Sequence, residues 1–468
     1  MRWLAGGLAL LIAVAALILA LDGTLSHTSR HDTTVAARTP PSGAGDDPTT
    51  TTSTTATSTT ATSTATTPTS PTLTPPGTQP RGPGETRLRR ALTRTLAPAR
   101  PHVGVLVYDI TAGRELYAVH PTVARPPASV EKLWTTTAVV DRLGSEARMH
   151  TALLGTGRER HGVWHGNLYL RGGGDPTFGD PGFNRVWNHG LGATPEQLVA
   201  QLRRRGIRRV TGRVYPDESM FDRRRGGLIT DYKPDVPDFG GRLSALDYDH
   251  GTTVAKVGPA AFATRVFVQL MRQSGITATA ARHDRRTPRA ADLLATVSSP
   301  PTAAMIRLMN VPSDDLFAEL FTKQLGVLFG HGGTISAGAR VIGKTIASRY
   351  DLHPKILDGS GLGRADRTSP LQIVDLLRDV WHTPTGRELA ASLPTTGVDG
   401  TVAGIGAKSP AQGRCLAKTG SLNYVTNLAG WCTTKSGHVL AFALFVDGPD
   451  NGEGFAMESR MVGDVARY

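Results

Sequence analysis

A serine hydroxyl is a poor nucleophile until a neighbouring base takes its proton, and Ser129 has Lys132 three residues further on. On a helix that spacing puts both side chains on one face. A lysine serves as the base when desolvation or a second cation makes its proton labile. None of the other eight lysines has a serine at that offset. Far downstream, Lys418-Thr419-Gly420 is the only such tripeptide in the chain and lies in a strand-like run. It offers a second cation, a hydroxyl for a substrate carboxylate, and a glycine that lets substrate approach the backbone. Between the two, Ser313-Asp314-Asp315 opens a helix, and its hydroxyl could pass a proton from Lys132 to a leaving amine. Each tripeptide also has a structural reading, with Ser129 and Ser313 as helix N-caps and Lys418 as a solvated strand lysine. Their order along one chain favours the chemical one.

The elements that must hold these residues are visible in the pattern. Pro126-Pro127 precedes Ser129, residues 130–143 carry no Gly or Pro, and Gly144 closes the run, which predicts a helix with Ser129 at its N-terminus. That end adds a positive field and free backbone N–H groups beside the hydroxyl. An amphipathic stretch over 86–96 leads into a hairpin, 103–108 and 116–119, around Thr111-Ala112-Gly113. Helices are predicted over 301–308, 315–325, 338–349 and 371–381, followed by a hairpin over 415–433 and a strand over 439–445. Ser129 and Ser313 are 184 residues apart, more than two walls of one cleft require, so an inserted domain is expected over 149–294. No internal repeat is present.

Composition narrows the class. The chain has 468 residues, 52 Lys+Arg against 39 Asp+Glu, and a net charge of +13, yet only nine of the basic residues are lysine. The arginines are spread along the chain, and no zinc-finger spacing, RNA-binding aromatic motif or basic helix with heptads appears, so no nucleic-acid partner is expected. Two cysteines exclude a disulfide-framework mini-protein and a multi-cysteine zinc module. His161 and His165 have metal-like spacing, but Gly162 and Gly166 favour a hairpin turn there. The glycine runs at 172–174 and 358–363 lack a strand–loop–helix nucleotide context and read as turns, the second near the cleft. No metal or cofactor is expected, and without a Gly-x-Ser-x-Gly elbow an α/β-hydrolase is disfavoured.

The N-terminus indicates the compartment. Residues 3–21 are 19 without charge or strong polarity, close to the length that crosses a ~30 Å hydrocarbon core, with Arg2 before them and Asp22 after. The run reads as a secretion signal or membrane anchor with the rest of the chain outside the cytoplasm. Residues 26–84 are dominated by Thr, Ser, Pro, Ala and Gly and read as a disordered tether. The expected organisation is therefore 1–25 signal or anchor, 26–84 linker, 85–148 first catalytic part, 149–294 inserted domain and 295–468 second catalytic part. Cys415 and Cys432 flank the hairpin that bears Lys418, with their midpoint between Asn423 and Tyr424. Outside the cytoplasm they are predicted to form a disulfide across two antiparallel strands, contributing about 3 kcal/mol in the chain-entropy model.

Ser-x-x-Lys, a Ser-x-Asn-like triplet and Lys-Thr-Gly, in that order, resemble the motif set of the active-site-serine penicillin-binding proteins and β-lactamases. More specifically the chain resembles the class C low-molecular-mass penicillin-binding proteins, the D-alanyl-D-alanine carboxypeptidase/endopeptidase family. Accessory stretches agree: Gly166-Asn-Leu-Tyr-Leu-Arg-Gly-Gly-Gly-Asp-Pro176, Asn310 through Glu319, Asp358-Gly-Ser-Gly-Leu362 with Arg364, and Leu393-Pro-Thr-Thr-Gly-Val-Asp-Gly-Thr401. The resemblance runs from about residue 85 to the end. It implies an α+β fold with a β-lactamase/transpeptidase-like antiparallel sheet flanked by helices and an inserted mixed α/β domain. Larger members nest a further small domain in the insertion. Here Leu243-Ser-Ala-Leu246 leads quickly to a helix over 261–273, so that part is expected to be reduced or absent.

The resemblance also implies roles. Ser129 attacks the carbonyl of a terminal D-Ala-D-Ala peptide of peptidoglycan and Lys132 takes its proton. Ser313 relays the proton to the departing D-Ala, with Lys418 and Thr419 on the substrate carboxylate. Gly420 and Asp315 line the site, and the N–H groups of Ser129 and Ser421 form an oxyanion hole. β-Lactams are the implied inhibitors. One position departs from the pattern: Asp315 stands where the family has an amide. A carboxylate only accepts hydrogen bonds, and it favours protonated lysines nearby. The alternative expectation is therefore a catalytically weakened or inactive wall-binding protein of the same fold.

Overall fold

The computed structural model describes residues 82–226, 241–254, 256–448 and 450–468. The signal or anchor expected over 1–25, and the linker as far as residue 81, lie outside the described residues. Within them no helix is long and apolar enough to cross a membrane.

In chain order, helix α1 (Pro83–Leu96) leads into hairpin strands β1 (Val103–Asp109) and β2 (Arg114–Val119). A 3-10 turn, Ala128–Glu131, then passes directly into α2 (Lys132–Leu143). Ser129 therefore lies on a tight turn ahead of the α-helix, a correction to the continuous helix predicted from residue 130. Gly144 ends α2 with φ 82° and its N–H on Val140 O at 2.9 Å, as a C-terminal glycine should. Next come β3 (His150–Arg160), β4 (Val163–Arg171), α3 (Pro181–Trp187), α4 (Pro195–Arg204), β5 (Arg209–Val210), β6 (Val214–Asp217), α5 (Pro259–Gln273) and β7 (Asp292–Ser298). The turn between β3 and β4 is His161-Gly162, both with positive φ, which matches the twist of a two-residue hairpin. The chain continues through α6 (Thr302–Asn310), α7 (Asp315–Phe329), α8 (Ile335–Tyr350), α9 (Pro370–Val380), α10 (Pro384–Ser392), β8 (Cys415–Leu422), β9 (Val425–Thr433), β10 (Val439–Asp447) and α11 (Asn451–Arg467).

Two sheets organise these elements in an α+β fold. The first has the order β2-β1-β10-β9-β8 and is antiparallel throughout. Both its faces are covered. Along β10, Ala441, Ala443 and Phe445 belong to the core shared with α2 and α6–α10, whereas Leu440, Phe442, Leu444 and Val446 belong to the core under α1 and α11. Period-2 alternation between two apolar layers explains why the strand reads as one hydrophobic run. Buried Trp431 donates Nε1–H to Leu377 O at 3.1 Å, tying sheet to helices with its polar atom satisfied.

The second sheet is mixed, β5-β4-β3-β7 with β6 also on β4, and is packed by α4 and α5 around its own core, from Leu153 to Val297. It forms the inserted α/β region. Segment 243–250 joins the two: Leu243 and Ala245 lie in the helical core, Leu246 and Tyr248 in the inserted one. Helices α10 and α11 were not anticipated. Glycines and small residues interrupt α11 (Gly452, Gly454, Gly463), so its apolar periodicity is weak in sequence.

Candidate active site

The site lies where the Ser129 turn meets β8. Ala128 adopts φ 47° and Val130 N donates to Pro127 O at 3.2 Å, a sharp turn that lifts the Ser129 side chain toward the cleft. Asn427, on β9, holds it from below by donating Nδ2–H to Pro126 O at 2.9 Å and Pro127 O at 2.8 Å. Two glycines make the approach possible. A Cβ on Gly420 would press on Pro127 O, and one on Gly361, at φ 82°, would collide with Ala128 O.

Lys132 is fully buried and each of its donors has a partner: Ser129 Oγ at 3.0 Å, Asp315 Oδ1 at 2.6 Å and Ser360 O at 2.9 Å. Three donors and three acceptors leave Nζ no freedom. Lys418 is buried too, and donates to Ser313 Oγ at 2.7 Å and Thr419 O at 3.0 Å. Burial and the charge of Lys132 push its amine well below the usual lysine range, against the pull of Asp315 and Glu458. Asp315 is shifted the other way, its carboxyl raised by burial although Lys132 opposes the shift. Thr419 Oγ1 meets Thr401 Oγ1 at 2.7 Å. The fold thus gathers Ser129, Lys132, Ser313, Asp315, Lys418, Thr419 and Gly420 around one cleft.

β8 is an edge strand. Its first half is capped by residues 394–396, through Ala417 N to Pro394 O at 3.1 Å and Thr396 N to Cys415 O at 2.9 Å. Beyond that cap no strand pairs with its outer edge among the described residues, and Ser421 is exposed there. An extended peptide can add to such an edge. Cys415 and Cys432 face each other in register and form the disulfide anticipated from their spacing.

Ser313 is not an N-cap. It takes φ 67°, and the cap of α7 is Asp314, whose Oδ1 accepts from Phe317 N at 2.9 Å. The left-handed turn frees Ser313 to face Lys418. Other contributors carry no side-chain signature. Ser360 supplies only its carbonyl, on a loop gathered by Asp358, whose carboxylate accepts from Gly361 N at 2.7 Å and Gly363 N at 2.8 Å. Glu319 Oε1 accepts from Gly359 N and Ser360 N at 3.1 and 2.9 Å. The glycine run at 358–363 was the available signal. Behind it Glu131, Glu319, Asp358 and Asp366 form a buried acid group. Burial, then mutual repulsion, lifts Glu319 to about 8 and Asp366 to about 8. Among the described residues no cluster of His, Cys, Asp or Glu is arranged to hold a metal ion.

The model of the D-Ala-D-Ala carboxypeptidase 3 (S13) family matches residues 88–257 and 238–468. The chain is 30% identical over 385 residues to carboxypeptidase DacB of Mycolicibacterium smegmatis, across 77% of this chain and 80% of that one. It is 24% identical over 437 residues to D-alanyl-D-alanine carboxypeptidase DacB of Haemophilus influenzae, across 77% and 88%. Among solved structures, penicillin binding protein 4 (dacB) of Haemophilus influenzae superposes with a TM-score of 0.68 at 20% identity, over 81% of this chain and 99% of that one, a likeness of fold.

Proposed function

The chain belongs to the D-Ala-D-Ala carboxypeptidase 3 (S13) family, and from that premise we propose that it is a serine-type D-Ala-D-Ala carboxypeptidase. It acts on peptidoglycan stem peptides through an acyl-enzyme on Ser129, and β-lactams acylate the same serine. The observation that carries this reading is the pair of contacts in one cleft, Lys132 Nζ to Ser129 Oγ at 3.0 Å and Lys418 Nζ to Ser313 Oγ at 2.7 Å.

In this reading Lys132 takes the Ser129 proton as Oγ attacks the penultimate D-Ala carbonyl. The N–H groups of Ser129 and Ser421 hold the oxyanion, a contribution worth about 100-fold or more per donor. Ser313, held by Lys418, delivers a proton to the leaving D-Ala nitrogen, and water then resolves the ester. Lys418 and Thr419 receive the terminal carboxylate, while the open edge of β8 aligns the peptide backbone. Asp315 is raised by burial and is therefore a better proton acceptor than a solvated aspartate. Lys132 acts as base in its unprotonated form, with Nζ accepting from Ser129 Oγ across the 3.0 Å contact.

The disulfide supports a location outside the cytoplasm. Residues 3–21 would serve there as a signal or as an anchor in the membrane. The 2.6 Å contact of Asp315 with Lys132 also supports a second reading, a wall-binding protein with weakened turnover. Release of D-Ala from a pentapeptide decides between them. The carboxypeptidase reading expects release by the unmodified protein and none by Ser129→Ala; peptide binding without release would favour the second.

A further inference from the structure

Among the described residues, His250 carries the inserted region to the Ser313-Asp314-Asp315 turn. Segment 243–250 is held along its length, with Gly174 N on Ala245 O at 2.7 Å and Arg242 N on Gly251 O at 3.2 Å. At its end Asp249 and His250 both adopt left-handed φ, 46° and 59°, a conformation that costs a non-glycine residue free energy and persists where the surroundings enforce it. The consequence is that His250 Nε2 lies 2.6 Å from Asp314 Oδ2, with its ring over Phe317 at 6.1 Å between centroids.

Asp314 is the middle residue of the Ser313-Asp314-Asp315 turn, and its N–H and both carboxylate oxygens are held. Its N–H donates to Met309 O at 2.7 Å, Oδ1 caps α7 through Phe317 N at 2.9 Å, and Oδ2 meets His250. Its neighbours on either side are the two groups that face the lysines: Ser313 on Lys418 and Asp315 on Lys132. A shift at Asp314 would therefore move partners of both lysines together.

We propose that His250 is a positioning residue for the reaction: reaching across from the inserted region, its imidazole clamps Asp314, and so holds Ser313 against Lys418 and Asp315 against Lys132. The proposal rests on the carboxypeptidase reading above and adds to it a role for the insertion. The titratable groups that face His250 are Asp314 and Asp315 from the turn before and at the start of α7, and Asp247 from its own loop, a carboxyl that burial raises well above the usual range. Asp247 is buried with neither carboxylate oxygen hydrogen-bonded. Burial works against the imidazolium, but these carboxylates outweigh it and the histidine is raised above its ordinary value. The charge on the clamp is thus present at low pH and is lost as pH rises through that raised value, leaving at most a neutral hydrogen bond to Asp314.

The full-length protein, His250→Gln, His250→Ala and Asp314→Asn are compared for kcat and KM of D-Ala release from about pH 5.5 to about 9, a range that spans histidine titration. His250→Ala is expected to lose about tenfold in kcat, since a hydrogen bond to a charged partner is removed, with KM changed far less. His250→Gln, which retains a neutral donor, recovers part of that loss. The alkaline fall that the unmodified protein shows as His250 deprotonates is absent from His250→Gln and from Asp314→Asn. Adding Asp314→Asn to His250→Ala costs little more than His250→Ala alone. Unchanged kcat and an unchanged pH profile in both His250 variants would overturn the clamp, even if their melting temperatures fell, because the contact would then be packing only. A protein that turns over while its variants match it refutes the clamp alone. No release by the unmodified protein would refute the carboxypeptidase reading and the clamp with it.

Discussion

The two walls of the cleft hold their lysines in opposite ways. On the helical wall Lys132 is enclosed by a hydroxyl, a carbonyl and the Asp315 carboxylate, with Glu131, Glu319 and Asp358 buried behind it. On the sheet wall Lys418 has a hydroxyl and its neighbour's carbonyl but no carboxylate in bonding contact, and burial with the charge of Lys132 depresses its amine. Glu458, behind that wall on α11, does not complete a pair. Burial raises its carboxyl well above the usual range, and neither oxygen is hydrogen-bonded. A buried cation without its counter-ion is expensive, and adding a carboxylate relieves the cost. Lys132 thus has a resident acid in bonding contact, whereas Lys418 has none.

Replacing each lysine in turn is the strongest way to break that contrast. Lys132→Met is expected to lower penicillin acylation and D-Ala release alike by about 10³-fold or more, the scale of a lost general base. Lys418→Met should cost about 10²-fold, the scale of one lost electrostatic donor, and should raise KM for substrates with a free terminal carboxylate more than for their amides. Equal losses with no carboxylate dependence would erase the distinction between the walls. Asp315→Asn sharpens it from the other side. Activity within about tenfold of the unmodified protein is expected, because the amide also fits the 2.6 Å contact only as an acceptor. A gain of several hundredfold in D-Ala release would instead favour the weakened-enzyme reading.

The smallest effect concerns the acids behind Lys132 and is read as stability. Glu319 has its carboxyl raised from 4.5 to about 8 by burial and by Asp358, so the folded protein holds a proton there that the unfolded chain releases. Its contribution is present in full below pH 4.5 and is lost as pH rises toward about 8. Thermal melts across that window should fall with rising pH, and Glu319→Gln, an uncharged isostere, should flatten the slope. An unchanged slope would show that Glu319 does not set this pH dependence.

What could be read from the sequence divides along the same lines. Side-chain chemistry at fixed offsets was legible: Ser129 with Lys132, Lys418 with Thr419 and Gly420, and the two cysteines placed symmetrically about Asn423-Tyr424. So were the antiparallel sheet and the insertion between Ser129 and Ser313. Contributions made by backbone were not. Ser360 serves through a carbonyl that any residue possesses, and the 3-10 turn at Ala128–Glu131 is imposed by Asn427 and by the close approach of Gly361 and Gly420. A cap reading was open for Ser313, but Asp314 beside it caps α7, and Ser313 takes a left-handed φ with its Oγ on Lys418. His250 lies 64 residues from its partner with no periodic relation to it. Such pairs exist only once the inserted region has folded against the helices.

Ser129, in contact with Lys132, is the residue expected to be acylated. Incubating the full-length protein with benzylpenicillin and mapping the adduct by peptide mass spectrometry tests it directly. One penicilloyl group per chain on the peptide containing Ser129, absent from Ser129→Ala, is the predicted result; an adduct on another residue, or one that survives Ser129→Ala, would contradict it.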